Sequence, residues 1–133
     1  MYFDFRYNRT LCKAHVDRAK EFLATARFAL DSGRLGALID NLFSAAELAA
    51  KALLLDHPDP LLRRRPSHGY IHSRFNVAAK AGSVEVDQRN VFNELDSLRS
   101  KARYLRGELD LGAERASEMF TAISALVNRV DYK

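Results

Sequence analysis

Apolar residues recur at helical spacing along most of the chain, and the pattern predicts five helices. Leu11, His15, Ala19, Phe22, Ala26, Ala29 and Leu30 share one face of a first helix. That helix runs from about Thr10, an acceptable N-cap, to Leu30. Asp31-Ser32-Gly33 stops it, and Gly33 is the residue able to take a left-handed conformation. A second helix restarts at Arg34 or Leu35 and runs to Leu55. Leu35, Leu38, Leu42, Ala46, Ala49 and Leu53, flanked by Ile39, Phe43, Ala50 and Leu54, give it a broad apolar face. Such breadth marks a central helix, buried on more than one side. The short link makes the first two helices an antiparallel hairpin. Pro58 and Pro60 end the second one.

Leu61 to Ser67 reads as a loop carrying Arg63-Arg64-Arg65. A third helix follows from about Ser67 to Ala81, with Ile71, Phe75 and Ala78 inward and Gly82 as its end. Asp87 is placed to cap a fourth helix, in which Val91, Leu95, Leu98, Ala102 and Leu105 form one apolar row. Gly107 to Gly112 is a turn. A fifth helix carries Ala116, Met119, Phe120, Ile123, Leu126, Val127 and Val130. The fold class is therefore all-α, an up-and-down antiparallel bundle of four to five helices. Residues 1–133 form a single domain, with Met1 to Arg9 as an N-terminal arm. Alternating aromatics in that arm (Tyr2, Phe3, Phe5, Tyr7) fit an extended strap on the bundle or on a second subunit, and fit a frayed terminus equally well.

Composition narrows the class further. A chain of 133 residues, 47% hydrophobic and 29% charged, can bury one core without disulfides or metals. Three prolines and six glycines leave little for the turns of a many-stranded β fold. The lone Cys12 excludes an internal disulfide and a cysteine zinc site, which suits a reducing cytoplasm. No stretch approaches the roughly 18 apolar residues of a membrane span. The expected location is cytoplasmic, with no membrane partner. A net charge of +4 permits contact with nucleotide or nucleic-acid phosphates without requiring it.

Few residues offer chemistry. Asp40, Ser44, Glu47 and Lys51 share a narrow polar stripe of the second helix, either a solvated edge with a Glu47–Lys51 pair or the polar wall of a groove. Arg99, Arg103 and Arg106 share a stripe of the fourth helix, with Arg99 at the edge of the core. Guanidiniums on one face can receive phosphates, or can pair with Asp96, Asp110 or carboxylates of another helix. His68 and His72 are spaced i, i+4, but no third metal ligand stands at a recognisable spacing, so no metal is expected. His15 reads as a packed core histidine. There is no phosphate-binding glycine loop, no nucleophile elbow and no sign of a cofactor.

One stretch carries a resemblance. Ala45-Ala46-Glu47-Leu48-Ala49-Ala50-Lys51-Ala52-Leu53-Leu54-Leu55 resembles the second helix of HEPN domains, named for nucleotide binding in higher eukaryotes and prokaryotes. Phe22 to Gly33 before it is similar to the family's first helix and glycine turn. Ser67-His68 resembles the start of the third helix. Leu98-Arg99 with Ala102 and Tyr104 resembles a Leu-Arg…Ala-Asp-Tyr stretch of the fourth. The likeness covers roughly Ala19 to Val130, and its order and spacing are more specific than its Ala- and Leu-rich motifs.

The resemblance implies a four- or five-helix bundle that often forms a homodimer. Some members are metal-independent ribonucleases, including toxins of toxin–antitoxin pairs whose partners are small nucleotidyltransferases. Others bind nucleotides, RNA or partner proteins. The ribonucleases resemble one another in an Arg-x4–6-His motif on the fourth helix. Arg99 fits its arginine, but Tyr104 stands where the histidine would, and no His follows His72. A phenol with a pKa near ~10 is a poor proton shuttle at neutral pH. The expectation is therefore a non-catalytic module that binds nucleotide, RNA or a nucleotidyltransferase-like partner, at the edge of helices 2 and 4. Arg99, Arg103, Tyr104, Asp40 and Glu47 would line that site. The alternative is an endoribonuclease with an altered motif, in which Arg99 and Tyr104 act. The broad face of the second helix, the aromatic arm and the family habit together suggest a homodimer.

Overall fold

The computed structural model describes residues 2–54, 68–80, 85–104, 109 and 111–131, with side chains of residues 2–9, 68, 70 and 78–80 outside that description. Within them the chain forms α1 (Tyr2–Asp31), α2 (Leu35–Leu54), α3 (His68–Lys80), α4 (Val86–Tyr104) and α5 (Ala113–Asp131). The N-terminal stretch, which fitted an extended strap or a frayed terminus, is the start of α1. Residues 2–9 contain neither Gly nor Pro, so nothing in them halts a helix propagating back from the packed part of α1. Thr10 accordingly lies inside the helix and not at its start. Pro58, Pro60, Arg63-Arg64-Arg65, Gly82, Leu105, Arg106, Gly107 and Asp110 lie outside the described residues.

The hairpin of α1 and α2 turns where its sequence puts the turn. Gly33 has φ 71°. Its N–H donates to the Leu30 carbonyl at 3.3 Å, and the Arg34 N–H donates to the Ala29 carbonyl at 2.9 Å. These are the two bonds of a Schellman stop, satisfying carbonyls that the helix end leaves bare. The start of α4 differs from expectation. Asp87 is inside its first turn. The capping contact comes from Gln88, whose Oε1 accepts from the Glu85 N–H at 3.4 Å, the reciprocal half of a capping box.

α2 is the hub and packs against each of the other four helices. Its broad face is buried throughout, from Leu38 and Ile39 to Leu53 and Leu54. Ala45, Ala46, Ala49, Ala50 and Ala52 are fully buried, and methyl side chains let neighbouring helices approach α2 closely. α1, α4 and α5 bury Val16, Ala19 and Ala26, then Val91, Phe92 and Leu95, then Met119, Ile123 and Leu126 against it. α3 adds Ile71 and Phe75.

Cross-helix pairs fix the directions. Asp40 meets Arg103, so α2 and α4 are antiparallel. His72 and Asn76 meet Asn93 and Arg89, so α3 and α4 are antiparallel too. α3 therefore runs parallel to α2, a departure from strict alternation. It lies over one side of the α2–α4 contact, and α5 lies against the other. Beneath α3 the rings of Phe43, Phe92 and Phe75 pack together: Phe43 and Phe92 are tilted with centroids 5.7 Å apart, and Phe75 meets Phe92 edge-on at 5.0 Å.

Candidate functional site

The site grows from one carboxylate and two guanidiniums. Asp40, in the second turn of α2, is half-buried beside the last two turns of α4. Arg103 donates from Nε to Asp40 Oδ1 at 2.9 Å and from Nη2 to Oδ2 at 3.5 Å. This contact raises the Arg103 guanidinium above its ordinary pKa, chiefly by hydrogen bonding to Asp40 and then by its charge. One turn back, Arg99 Nε lies 3.6 Å from the same Oδ1, an ion pair too long for a hydrogen bond.

Arg99 is held differently. Its guanidinium carbon sits 4.8 Å from the centre of the Phe43 ring, a cation–π contact that fixes the plane of the head group. Its side chain is 23% exposed. Its Nε is buried and has no hydrogen-bond partner among the described residues. One carboxylate thus serves two arginines and satisfies one of them. The unmet donor and the excess positive charge make a place where a second anion would be stabilised.

Tyr104 follows Arg103 at the end of α4 and is 64% exposed. With Ser97, Arg99, Ser100 and Lys101 it lines a shallow depression of about 550 Å³, in which Asp96 also stands. An exposed phenol ring beside cations can stack on a base and hydrogen-bond a sugar. Glu47 lies seven residues beyond Asp40, two turns further along α2, and is half-buried. Of the five expected residues, the structure brings Asp40, Arg99 and Arg103 into one cluster and sets Tyr104 at its open edge. Arg106 lies outside the described residues.

The histidines divide. His15 is half-buried on α1, and its Nδ1 lies 2.7 Å from the Leu11 carbonyl. Burial pushes its pKa below the ordinary value; the carbonyl opposes that shift and the charge of Lys51 adds to it. His72 stacks on Phe92 with centroids 4.8 Å apart and contacts Asn93 Oδ1. Around it is a polar ladder that the sequence pattern did not reveal. Asn93 donates to Asn76 at 3.3 Å, and Arg89 Nε donates to Asn76 at 3.1 Å. Its signal was present as two i, i+4 pairs, His72/Asn76 and Arg89/Asn93, which face each other only once α3 lies on α4. Among the described residues no group of three potential metal ligands occurs. No described helix is long and apolar enough to cross a membrane.

No curated protein and no solved structure matches the chain. A family model does: the HEPN domain model matches residues 12–132, from about three turns into α1 to the end of α5. The bundle, its α2 hub and this match over nearly the whole length agree, and the chain belongs to the HEPN domain family.

Proposed function

We propose that this HEPN domain is a non-catalytic binding module that receives a phosphate of a nucleotide or RNA at Arg99 and Arg103. The observation that carries the reading is the shared carboxylate. Asp40 is divided between two guanidiniums, and the Nε of Arg99 has no hydrogen-bond partner among the described residues. An arriving phosphate would take over part of Asp40's role and hold both arginines. Tyr104, Ser97 and Ser100 would then offer a stacking face and hydroxyls to the adjoining base and sugar. Asp96 would disfavour a second phosphate in the depression.

Titration of short mixed-sequence RNA and of free nucleotides against wild type and an Arg99→Ala/Arg103→Ala variant tests the proposal. The expected loss is roughly tenfold or more per arginine, the worth of a charge-assisted hydrogen bond. The salt dependence should shrink by about 0.7 in log–log slope for each phosphate contact removed. Equal binding by a folded variant overturns the reading. Incubation with RNA separates binding from cleavage, and cleavage abolished by Arg99→Ala would establish the ribonuclease alternative. His72, the histidine nearest α4 among the described side chains, is engaged with Asn93 and Phe92, which supports binding over proton transfer at Arg99.

A partner protein such as a nucleotidyltransferase could use the same arginines, and competition between it and RNA would reveal that. A homodimer stays part of the proposal through the aromatic start of α1. α2 no longer argues for one, because its apolar face is covered within one chain.

A further inference from the structure

A further arginine of α4 is held by amides rather than by a carboxylate. Arg89 Nε donates to Asn76 Oδ1 at 3.1 Å, and Asn93 Nδ2 donates to the same oxygen at 3.3 Å. Asn76 Nδ2 in turn donates to the His72 carbonyl at 2.9 Å and to Asn93 Oδ1 at 3.4 Å. His72 Nε2 contacts that Asn93 oxygen as well. The ladder thus spends its amides on itself. The two Nη groups of Arg89 are left over, with no partner among the described residues.

The charge of Arg89 is left over too. Residues 68–80 of α3 contain no Asp or Glu. Glu85, one turn before Arg89 on α4, pairs with Arg129 of α5 at 3.3 Å. Asp96, two turns beyond Arg89, is exposed and lines the depression beside Tyr104. Asn76 is neutral, so it fixes the plane of the guanidinium without cancelling its charge. A planar pair of donors, fixed and uncompensated, suits one phosphate held through two parallel hydrogen bonds.

A polar track joins this position to the Arg99–Arg103 cluster. Asn93, Ser97, Ser100 and Tyr104 follow Arg89 at spacings of four, four, three and four residues, one stripe of a helix. His72 stands opposite Asn93 and Asn76 opposite Arg89, so the start of α3 at His68 comes level with Ser97. Past that level α3 no longer covers α4, and Ser97, Ser100 and Tyr104 line the open depression. From Arg89 to Arg99 the helix rises about 15 Å at ~1.5 Å per residue. A stacked strand advances ~3.4 Å per nucleotide, so the two arginines stand about four nucleotide steps apart.

We infer that Arg89 is a second phosphate subsite and that the ligand is single-stranded RNA reaching both positions, rather than a free nucleotide. The inference rests on Arg99 and Arg103 holding the first phosphate. Between the two subsites Asp96 turns the intervening phosphates toward water. Sugars and bases then face Ser97, Ser100 and Tyr104, which offer hydroxyls and a ring to stack on.

Two RNAs of different length test this: a mixed-sequence dinucleotide with one phosphodiester, and a mixed-sequence hexanucleotide. Wild type should bind the hexanucleotide at least tenfold more tightly. Arg89→Gln should lose roughly tenfold on the hexanucleotide, the worth of a charge-assisted hydrogen bond, and nothing on the dinucleotide. Its log–log salt slope on the hexanucleotide should shrink by about 0.7. Asn76→Asp, nearly isosteric, puts a carboxylate against Arg89 and should reproduce the loss in a chain that keeps its thermal midpoint within a few degrees. Equal losses on both RNAs, or no loss on the hexanucleotide in either variant, overturn the inference. If Arg99→Ala/Arg103→Ala weakens both RNAs while Arg89→Gln weakens neither, the second subsite falls and the first stands. If wild type binds neither RNA, both fall. Hexaglutamate binding as tightly as the hexanucleotide, and weakened by Arg89→Gln, would assign the track to an acidic peptide instead.

Discussion

Asp40 is a competitor built into the arginine cluster. As an ion pair with a partner half exposed to water it is worth little to the fold, about 1 kcal/mol or less. As a neighbour of the phosphate position it opposes binding. Asp40→Asn should therefore leave the thermal midpoint nearly unchanged and tighten RNA binding by up to about fivefold, the equivalent of an exposed ion pair. Weaker binding in that variant would mean that Asp40 orients the arginines more than it competes with the ligand. His15 gives a prediction of a different kind. Burial holds its folded pKa below the ordinary 6.5. The unfolded chain then takes up a proton that the folded chain does not. Stability should fall as pH drops through the unfolded value, until the folded value is passed. Urea midpoints at neutral and mildly acidic pH should show a larger acid loss in wild type than in His15→Gln.

Two glycines of the hairpin should respond oppositely to the same change. Gly33 has a positive φ, and a Cβ there would meet nothing within 4 Å. The cost of Gly33→Ala is then backbone strain alone, about 1–2 kcal/mol. Gly36 lies in the first turn of α2, and its Cβ would also meet nothing. Gly36→Ala should stabilise by roughly 0.4–1 kcal/mol through the entropy of the unfolded chain. Thermal denaturation of the two variants checks both signs. The alanine row of α2 sets the spacing of the bundle. Ala49 is fully buried, and Ala49→Leu should cost about 1–3 kcal/mol by forcing neighbours apart. Phe92 touches Phe43, Phe75 and His72 at once. Phe92→Ala should cost about 3–5 kcal/mol and loosen the packing of α3.

For the whole molecule the main feature is the division of charge across α4. Arginines meet α2 on one side, and carboxylates face α5 on the other. RNA binding at the first face should weaken as salt is raised. The proposed homodimer rests on Tyr2, Phe3, Phe5 and Tyr7, which the helical start of α1 carries. Light scattering should find a dimer in wild type and a smaller species in Phe3→Ser/Phe5→Ser. A wild-type monomer at micromolar concentration removes the dimer from the proposal.

The helices, the glycine stop and the hub role of α2 were legible in the sequence. Each follows from local rules: apolar spacing, a residue free to take positive φ, and a face too wide to leave in water. The helical start of α1 was not legible, because alternating aromatics fit an extended segment and also a helix that propagates into them from its packed part. The candidate site was half legible. Arg99 and Arg103 were visible as one stripe, and Asp40 as part of another. That Asp40 divides itself between both arginines and that Phe43 lies under Arg99 were decided by tertiary structure. The same holds for the His72–Asn76–Arg89–Asn93 ladder. Periodicity states which side of a helix is wet or dry. Which wet residues meet depends on helix direction and register, and these are set by packing among residues far apart in the chain.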